Sequence, residues 1–274
     1  MSERRRERYT HGHHESVLRA HSWRTVENSA AYLVPHLAPG LAVLDVGCGP
    51  GTITLDLAER VVPGRVVGMD AGSDVLVGAR TLAHDRGLAH VEFVVGDAYA
   101  LDFADDSFDI VHAHQVLQHV SDPVAVLQEM ARVARPGGLV AARDVDYAAA
   151  VWYPASEGLD RWMQLYQAVH RVNGGEPDAG RRLRRWALAA GLDEVTSSAS
   201  IWCFASAEDR DWWGGAWAVR SLESDFATSA LESGLATRAD LEHISAAWLD
   251  WAASDDGVLM MSHGEVLGRV PLRE

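Results

Sequence analysis

Three glycines separated by single residues follow a short apolar run in the stretch Leu41-Ala-Val-Leu-Asp-Val-Gly-Cys-Gly-Pro-Gly51. The run has the length of a strand, and apolar residues then recur at helical spacing at Ile53, Leu57 and Val61. The glycines therefore predict a tight strand-to-helix turn whose backbone approaches a bound ligand closely. Of all the features in this sequence, this site for a nucleotide-type cofactor constrains the fold most.

Two cofactors fit such a turn, a dinucleotide or S-adenosylmethionine. A dinucleotide site has the spacing G-x-G-x-x-G and holds a pyrophosphate at the helix N-terminus, whereas the spacing here is G-x-G-x-G. Asp45 lies two residues before the first glycine, where a carboxylate repels a pyrophosphate and attracts the ammonium and sulfonium groups of S-adenosylmethionine. Spacing and charge favour S-adenosylmethionine and leave an NAD(P)-dependent oxidoreductase as an alternative.

Two further acidic residues come at the ends of the next two predicted strands. Asp70 ends the strand that begins at Arg65, where a carboxylate accepts hydrogen bonds from ribose hydroxyls. Asp97 follows the strand predicted from Val91, where its carboxylate is suited to the adenine amino group. A single aspartate is weak evidence because surface turns are rich in Asp. Acids at the ends of successive strands together predict a cofactor site.

The chain resembles the class I S-adenosylmethionine-dependent methyltransferases, especially the small-molecule branch that contains the ubiquinone and menaquinone biosynthesis enzymes. The glycine stretch matches the first motif of that family, the segment 108–120 resembles the fourth, and the segment 133–139 resembles the turn into the fifth strand. The resemblance covers residues 41–145 and returns at 183–195 and 266–271.

The resemblance implies a cofactor site made from the ends of the first four strands. In it, Asp70 matches the ribose acid and Met69 packs on adenine. Asp97 and Ala98 match the pair at the adenine edge, by side chain and by backbone amide. The full set of implied cofactor-binding residues is Asp45, Gly47, Cys48, Gly49, Gly51, Met69, Asp70, Ala71, Asp97, Ala98, His114 and Gln115.

His114 and His119 are the predicted catalytic residues. Methyl transfer from a sulfonium is an in-line displacement, so the enzyme has to align the acceptor and, for an oxygen or carbon acceptor, remove a proton. Histidine suits proton removal near pH 7. His114 ends the fourth predicted strand, where related enzymes point side chains at the methyl group, so it is the candidate base, and His119 the candidate to orient the acceptor. A structural hydrogen-bonding role is the alternative for each.

The sequence predicts no metal ion in this site. Metal-dependent relatives of the catechol type carry Asp where this chain has His114, and their later Asp-Asn dipeptide is absent. The N-terminal cluster His11-Gly-His-His14 offers imidazoles, but spacing fixes no carboxylate partner for them. A lid over the cofactor and a frayed terminus are the competing interpretations of that segment.

Contacts with the methyl acceptor are predicted from the N-terminal segment, the fifth strand and the tryptophan-rich insertions. Arg143 is suited to a substrate carboxylate, and an ion pair with Asp144 or with a neighbouring helix is the alternative. Nine of the ten tryptophans follow Asp146 and suggest an apolar lid, with ordinary helix packing as the alternative for each one. The predicted substrate-binding residues are Tyr9, His13, His14, Trp23, Arg143, Trp152 and Tyr166.

The alternation of strands and helices predicts an α/β fold with a doubly wound, seven-stranded, mostly parallel sheet and the ligand at the carboxyl ends of the strands. We expect an N-terminal helical lid at 1–40 and a helical substrate cap at 152–177 and 206–255. The methyltransferase core then consists of residues 41–151, 178–205 and 256–274.

Composition narrows the function further. The 274 residues include no lysine, which excludes Schiff-base and P-loop chemistry. A net charge of −15 disfavours nucleic acid as a partner. Cys48 and Cys203 form no disulfide or zinc pattern, and no apolar run has the length of a membrane span. We therefore expect a cytoplasmic enzyme, monomeric or homodimeric, that methylates O or C of a small, largely apolar molecule. A protein that binds S-adenosylmethionine without methylation, as a sensor or pericyclic catalyst, is the other alternative.

Overall fold

The computed structural model describes residues 23–273. Within them the strands are β1 (Val43–Val46), β2 (Val66–Asp70), β3 (Glu92–Val95), β4 (Phe108–His114), β5 (Ala134–Val145), β6 (Val151–Tyr153), β7 (Asp193–Phe204) and β8 (Val258–Arg269). The α-helices are α1 (Val26–Ser29), α2 (Thr52–Val61), α3 (Ser73–Asp85), α4 (Pro123–Val133), α5 (Glu157–Val172), α6 (Leu183–Ala189), α7 (Ala207–Glu223), α8 (Asp225–Glu232) and α9 (Arg238–Ala253). Every one of these helices is too short or too polar to span a lipid bilayer.

The strands form one sheet in the order β3-β2-β1-β4-β5-β8, and both β6 and β7 also pair with β8. The first five strands of this order are parallel, and β8 is antiparallel to β5, β6 and β7. The chain order reverses between β1 and β4, where ligands bind in doubly wound sheets. The predicted fold class is confirmed.

Two details of the sheet differ from the sequence prediction. An eighth strand, β6, carries Trp152 and pairs it with Leu259, so this tryptophan lies at the sheet edge, ahead of the cap helix α5. Strand β5 begins at Ala134, five residues before the expected Leu139, because its first residues continue directly from α4 and pair across an irregular register with β4. Alternation alone cannot detect such a start, since Pro136 and two glycines interrupt the pattern.

One face of the sheet is polar at its carboxyl end. The strand register sets Asp45 beside His112, His114 beside Arg143, and Arg143 beside Glu265. All five side chains are buried. We call the following set the polar row: Asp45, His112, His114, Arg143, His263 and Glu265.

Residues 23–36, the covering segment, pack over this face. The segment contains α1 and a 3-10 helix at Ala31–His36, which lie within the stretch 1–40 expected to form the N-terminal helical lid. Val26, Ala30 and Leu33 join the apolar core below it. Residues 1–22, with the predicted contacts of Tyr9, His13 and His14, lie outside the described part of the chain.

The helices α5, α7, α8 and α9 form a second core rich in aromatic residues. Trp162 lies 4.8 Å from both Trp217 and Trp248, measured between ring centres, and all three are almost completely buried. This core joins the sheet through Val145 and Phe204. Packing among these helices accounts for the positions of these three tryptophans, and an apolar lid that contacts the acceptor stays a prediction.

Candidate active site

The glycine turn between β1 and α2 has the strained backbone that its sequence predicts. Gly47, Gly49 and Gly51 have φ angles of 70°, 54° and 80°, in the left-handed region that favours glycine. The amide of Gly47 donates to the carbonyl of Met69 at the end of β2, at 2.7 Å. A Cβ at Gly51 would lie 2.9 Å from the Phe93 ring, so any larger residue forces the turn away from β3.

Asp45 points into the protein. Its carboxylate accepts from the Thr54 hydroxyl at 2.6 Å and from Nδ1 of His112 at 2.8 Å, and the residue is 2% exposed. One carboxylate oxygen is therefore bonded to the helix that follows the turn, and the other is bonded to strand β4. These contacts give Asp45 a part in fixing the glycine turn, while direct contact with the cofactor stays a prediction.

Asp70 lies at the mouth of the turn, half-buried. Its carboxylate accepts from the amide of Gly49 at 2.9 Å and from the amide of Gly72 at 2.9 Å, one bond to each oxygen. Each carboxylate oxygen can accept a second hydrogen bond, so this group retains capacity for two hydroxyl donors. The acceptor capacity of Asp70 and the close backbone turn fit the ribose and amino-acid portions of S-adenosylmethionine.

The other predicted cofactor residues surround this mouth. Asp97 is exposed after β3, and its carboxylate accepts from the amide of Tyr99 at 2.9 Å. Met69 is 2% exposed and lies beneath Gly96, where a Cβ would meet its sulfur at 2.6 Å. Ala71 is exposed, Ala98 is half-buried and Cys48 is buried. Burial raises the pKa of the Cys48 thiol, so it stays protonated.

Gln115 links the cofactor side of the site to the covering segment. Its φ is 55°, an uncommon value for a residue other than glycine. Its side-chain oxygen accepts from Arg24 at 2.8 Å, and its amide nitrogen lies 2.9 Å from Nε2 of His263. Its backbone amide donates to the carbonyl of Arg143 at 2.7 Å. These bonds hold the turn after β4 in a strained conformation, as is common at functional sites.

His114 is buried at the end of β4, 5% exposed. Neither ring nitrogen has a hydrogen-bond partner among the described residues. Its ring centre lies 5.8 Å from Trp202 and 6.4 Å from His263. Burial, with Arg24 and Arg143 nearby, holds the pKa of His114 well below its usual range, so the imidazole is neutral at pH 7.

His119 belongs to a separate cluster on the other face of the sheet. It stacks on His170 with the ring centres 5.0 Å apart, and its Nε2 lies 3.1 Å from the Gln118 side chain. His170 in turn lies 2.8 Å from the carbonyl of Gln118, and burial lowers its pKa to about 4. Asp144 accepts from the Gln118 amide at 3.1 Å, and burial raises its pKa to about 7. The structure thus places the two predicted catalytic histidines in different surroundings.

Arg143 forms its ion pair across the sheet. Its Nε donates to Ser200 at 3.0 Å and lies 3.4 Å from Glu265, while Asp144 points to the opposite face. The terminal nitrogens Nη1 and Nη2 have no partner among the described residues. The guanidinium carbon lies 5.0 Å from the centre of the Trp202 ring.

Two of the remaining predicted substrate residues lie in aromatic packing. Trp23 contacts the rings of Trp202, Phe204 and Trp212 at 5.2 to 5.6 Å. Tyr166 is completely buried, with its ring 4.2 Å from Tyr147. Within residues 23–273, no three His, Cys, Asp or Glu side chains are grouped as metal ligands.

Comparison with known proteins decides the family. The methyltransferase-domain family matches residues 37–191, more than half of the chain. The chain belongs to the class I S-adenosylmethionine-dependent methyltransferases. An uncharacterized methyltransferase of Schizosaccharomyces pombe is 35% identical over 94% of this chain and 95% of its own length. Demethylmenaquinone methyltransferase of Lactococcus lactis is 40% identical over 37% of this chain and 40% of its own length.

A solved structure agrees with this fold. Phosphoethanolamine N-methyltransferase 2 of Haemonchus contortus, in complex with S-adenosylmethionine, has a TM-score of 0.52 at 19% identity and covers 86% of this chain and 50% of its own. This enzyme uses S-adenosylmethionine to methylate a small molecule.

Sequence reasoning missed the partners of the predicted residues. His112, His263 and Glu265 were not singled out, although each is a polar residue alternating with apolar ones in a buried strand. That alternation was the available signal, because a half-polar buried strand needs partners for its polar atoms. Arg24 and Trp202 carried no comparable signal, since their contacts join residues far apart in the sequence.

Proposed function

We propose that this enzyme transfers a methyl group to an oxygen or carbon atom of a small, largely apolar molecule, with His114 as the general base. The cofactor supplies a methyl group already activated for displacement. The chain's own residues then have to hold the acceptor in line, exclude water and take up its proton.

The observation that carries the proposal is the state of His114. A neutral imidazole with both ring nitrogens unpartnered among the described residues, at the carboxyl end of β4, is able to accept a proton. Its low pKa makes it a weak base, which suits an acceptor whose proton is acidic, such as a phenol or an enolisable carbon. An amine acceptor loses its proton more easily after transfer and needs no such base.

His119 has a positioning role in this proposal. Its ring is held by His170 and Gln118, and the Gln118 backbone is held in turn by Asp144. A histidine fixed from several sides orients a neighbouring group better than it exchanges protons. The apolar character of the acceptor is supported by the indole of Trp202, whose ring centre lies 5.8 Å from that of His114.

The test is a screen for methylated products followed by substitution of His114. The purified protein is incubated with S-adenosylmethionine and a panel of phenols, hydroxyquinones and amines, and products that gain one methyl group are identified by mass spectrometry. His114→Ala should lower turnover at least about tenfold with a phenol, because loss of a general base typically costs ~10² to 10⁴. Activity should recover partly at high pH, where the free phenol ionises.

His84→Ala is the matched control, because the side chain of His84 is 84% exposed on α3. It should leave turnover and cofactor affinity at the parent values. Full activity in His114→Ala, or a loss of S-adenosylhomocysteine binding together with activity, contradicts the base assignment. Binding of S-adenosylmethionine without any methylated product across the panel favours the alternative of a binding protein.

A further inference from the structure

The polar row and the neighbouring Tyr32, whose ring centre lies 6.4 Å from that of His112, contain an unusual concentration of buried polar atoms without partners among the described residues. Among the described residues, these atoms are Oη of Tyr32, Nε2 of His112, both ring nitrogens of His114 and both terminal nitrogens of Arg143. Buried polar atoms in proteins are almost always hydrogen-bonded, because an unmet donor or acceptor is costly to bury. Several such atoms in one place indicate a bound group that residues 23–273 do not supply.

The donors of Arg143 specify the chemistry of that group. Arg143 is completely buried, and its Nε is already used by Ser200 and Glu265. The two terminal nitrogens form the end of a planar fork, the geometry that binds a carboxylate through two parallel hydrogen bonds. A water molecule can accept a hydrogen bond from one of these nitrogens, but it does not compensate the positive charge of the Arg143 guanidinium.

Charge in the surroundings favours an anion as well. Arg24 lies on the same side of the site, bonded to Gln115, and it is one of the groups that lower the pKa of His114. Glu265 is the carboxylate beside Arg143, and it also accepts from Ser198 and Ser200. Asp45 is occupied by His112 and Thr54 at the far end of the row. Glu265 is therefore the one carboxylate paired with Arg143 among the described residues, and its two oxygens are shared with two serine hydroxyls.

We infer that Arg143 binds a carboxylate group of the methyl acceptor, so that the natural acceptor is an aromatic or unsaturated organic acid. This rests on the proposed function, because the carboxylate belongs to the same acceptor whose methylated atom lies near His114. The Trp202 ring, 5.0 Å from the guanidinium, provides an apolar wall for the unsaturated part. Entry requires the covering segment to move, since its residues lie over this face.

Direct binding tests the inference without methyl transfer. The full-length protein, saturated with S-adenosylhomocysteine, is titrated by calorimetry with benzoate and with the neutral isostere benzamide. Benzoate should bind at least about tenfold more tightly, as expected for charge-assisted bonds to a buried arginine. Arg143→Met should abolish that preference and leave benzamide binding unchanged. Equal binding of the two probes, or binding of neither, overturns the inference.

Glu265→Gln separates a binding role from a structural one. Removal of the neighbouring negative charge should tighten benzoate binding, whereas Arg143→Met weakens it, so the two variants move in opposite directions. Arg65→Met, which breaks an exposed Arg–Glu pair with Glu92, is the control and should change neither affinity. Weaker benzoate binding in both Arg143→Met and Glu265→Gln contradicts the inference.

Turnover distinguishes this inference from the proposed function. If neutral phenols are methylated and Arg143→Met does not affect that reaction, the carboxylate site is wrong and the proposed function stands. If benzoate is preferred through Arg143 but no acid or phenol is methylated, the site stands and the proposed function fails.

Discussion

Trp202 on β7 donates its indole N–H to the backbone carbonyl of Asn28, at 2.6 Å, across 174 residues of sequence. Its ring also contacts Trp23, His114 and Arg143. One side chain thus fixes the covering segment to the sheet and forms part of the wall beside the predicted base. In the proposed function, Trp202 therefore couples the position of the covering segment to the shape of the proposed acceptor site.

Trp202→Phe should destabilise the protein by about 1 to 3 kcal/mol, because it leaves the carbonyl of the half-buried Asn28 without its indole donor. Chemical denaturation measures this. Trp212→Phe is the matched control, since Trp212 contacts the same Trp23 ring at the partly buried edge of the core. The control should lose less than half as much stability as Trp202→Phe, and equal losses would assign the effect to ring packing alone.

Gly51→Ala should abolish detectable cofactor binding or lower the stability by ~1 to 3 kcal/mol, because a Cβ there combines an unfavourable φ with overlap on Phe93. Gly78→Ala on α3 is the control. A Cβ at Gly78 meets no atom within 4 Å, so the alanine should raise stability by roughly 0.5 to 1 kcal/mol through helix propensity. A Gly51→Ala protein with parent stability and parent affinity for S-adenosylhomocysteine would show that the turn tolerates a side chain.

Asp70→Ala should weaken S-adenosylhomocysteine binding by about 1.5 to 3 kcal/mol, through loss of charge-assisted bonds to the ribose hydroxyls. Part of this effect arises from the glycine turn, because Asp70 also accepts from the Gly49 amide. Calorimetric titration gives the affinity. Asp74→Ala, in the first turn of α3, removes a nearby exposed carboxylate and should change the affinity little. Equal affinities in the parent and Asp70→Ala would refute the ribose assignment.

Asp144→Asn should change how stability depends on pH. The folded-state pKa of about 7 lies above the ordinary value near 4, so between these values the folded protein holds a proton that the unfolded chain has lost. Stability contributed by this group therefore falls as pH rises through that window, by at most about 1.4 kcal/mol per pH unit. The asparagine variant should lack that fall, as measured by denaturation between pH 4 and 8.

His170→Gln serves as the comparison of opposite sign. Its folded-state pKa of about 4 lies below the ordinary histidine value, so between about pH 4 and 6.5 the unfolded chain binds the extra proton. The parent therefore gains stability from this group as pH rises, and the glutamine variant should gain less. Identical pH profiles in the parent and both variants would mean that neither group titrates as its burial implies.

The sequence predicted the local structure around the glycine turn well. The glycine turn, Asp70 and the apolar runs of β1, β2 and β4 are local signals, because backbone angle, alternation and helical spacing act over a few residues. Helix α4 begins after Asp122, whose side chain accepts from the amide of Ala125, as Asp122-Pro123 predicts. Local structure that is predicted in this way is retained in the folded protein, because the tertiary contacts are compatible with it.

The acceptor half was less predictable, because its geometry depends on distant pairs. The Arg24–Gln115 bond and the Trp202–Asn28 bond join segments with no shared sequence pattern. Arg143 was expected either to bind a carboxylate or to pair with Asp144 or a helix, and its partners proved to be Ser200 on β7 and Glu265 on β8. Strand order determines which residues become neighbours across a sheet. The sequence of a single strand does not predict that order.

Strand β8 pairs with β5, β6 and β7, and it is the last strand in the chain order. Neither β6 nor β7 has another strand partner among residues 23–273. Both strands can therefore pair only after residues 258–269 have been synthesised. Such late, distant pairings raise contact order and slow folding. During synthesis the glycine turn and its strands can form first, whereas the polar row, which includes His263 and Glu265, is completed only after β8 has left the ribosome.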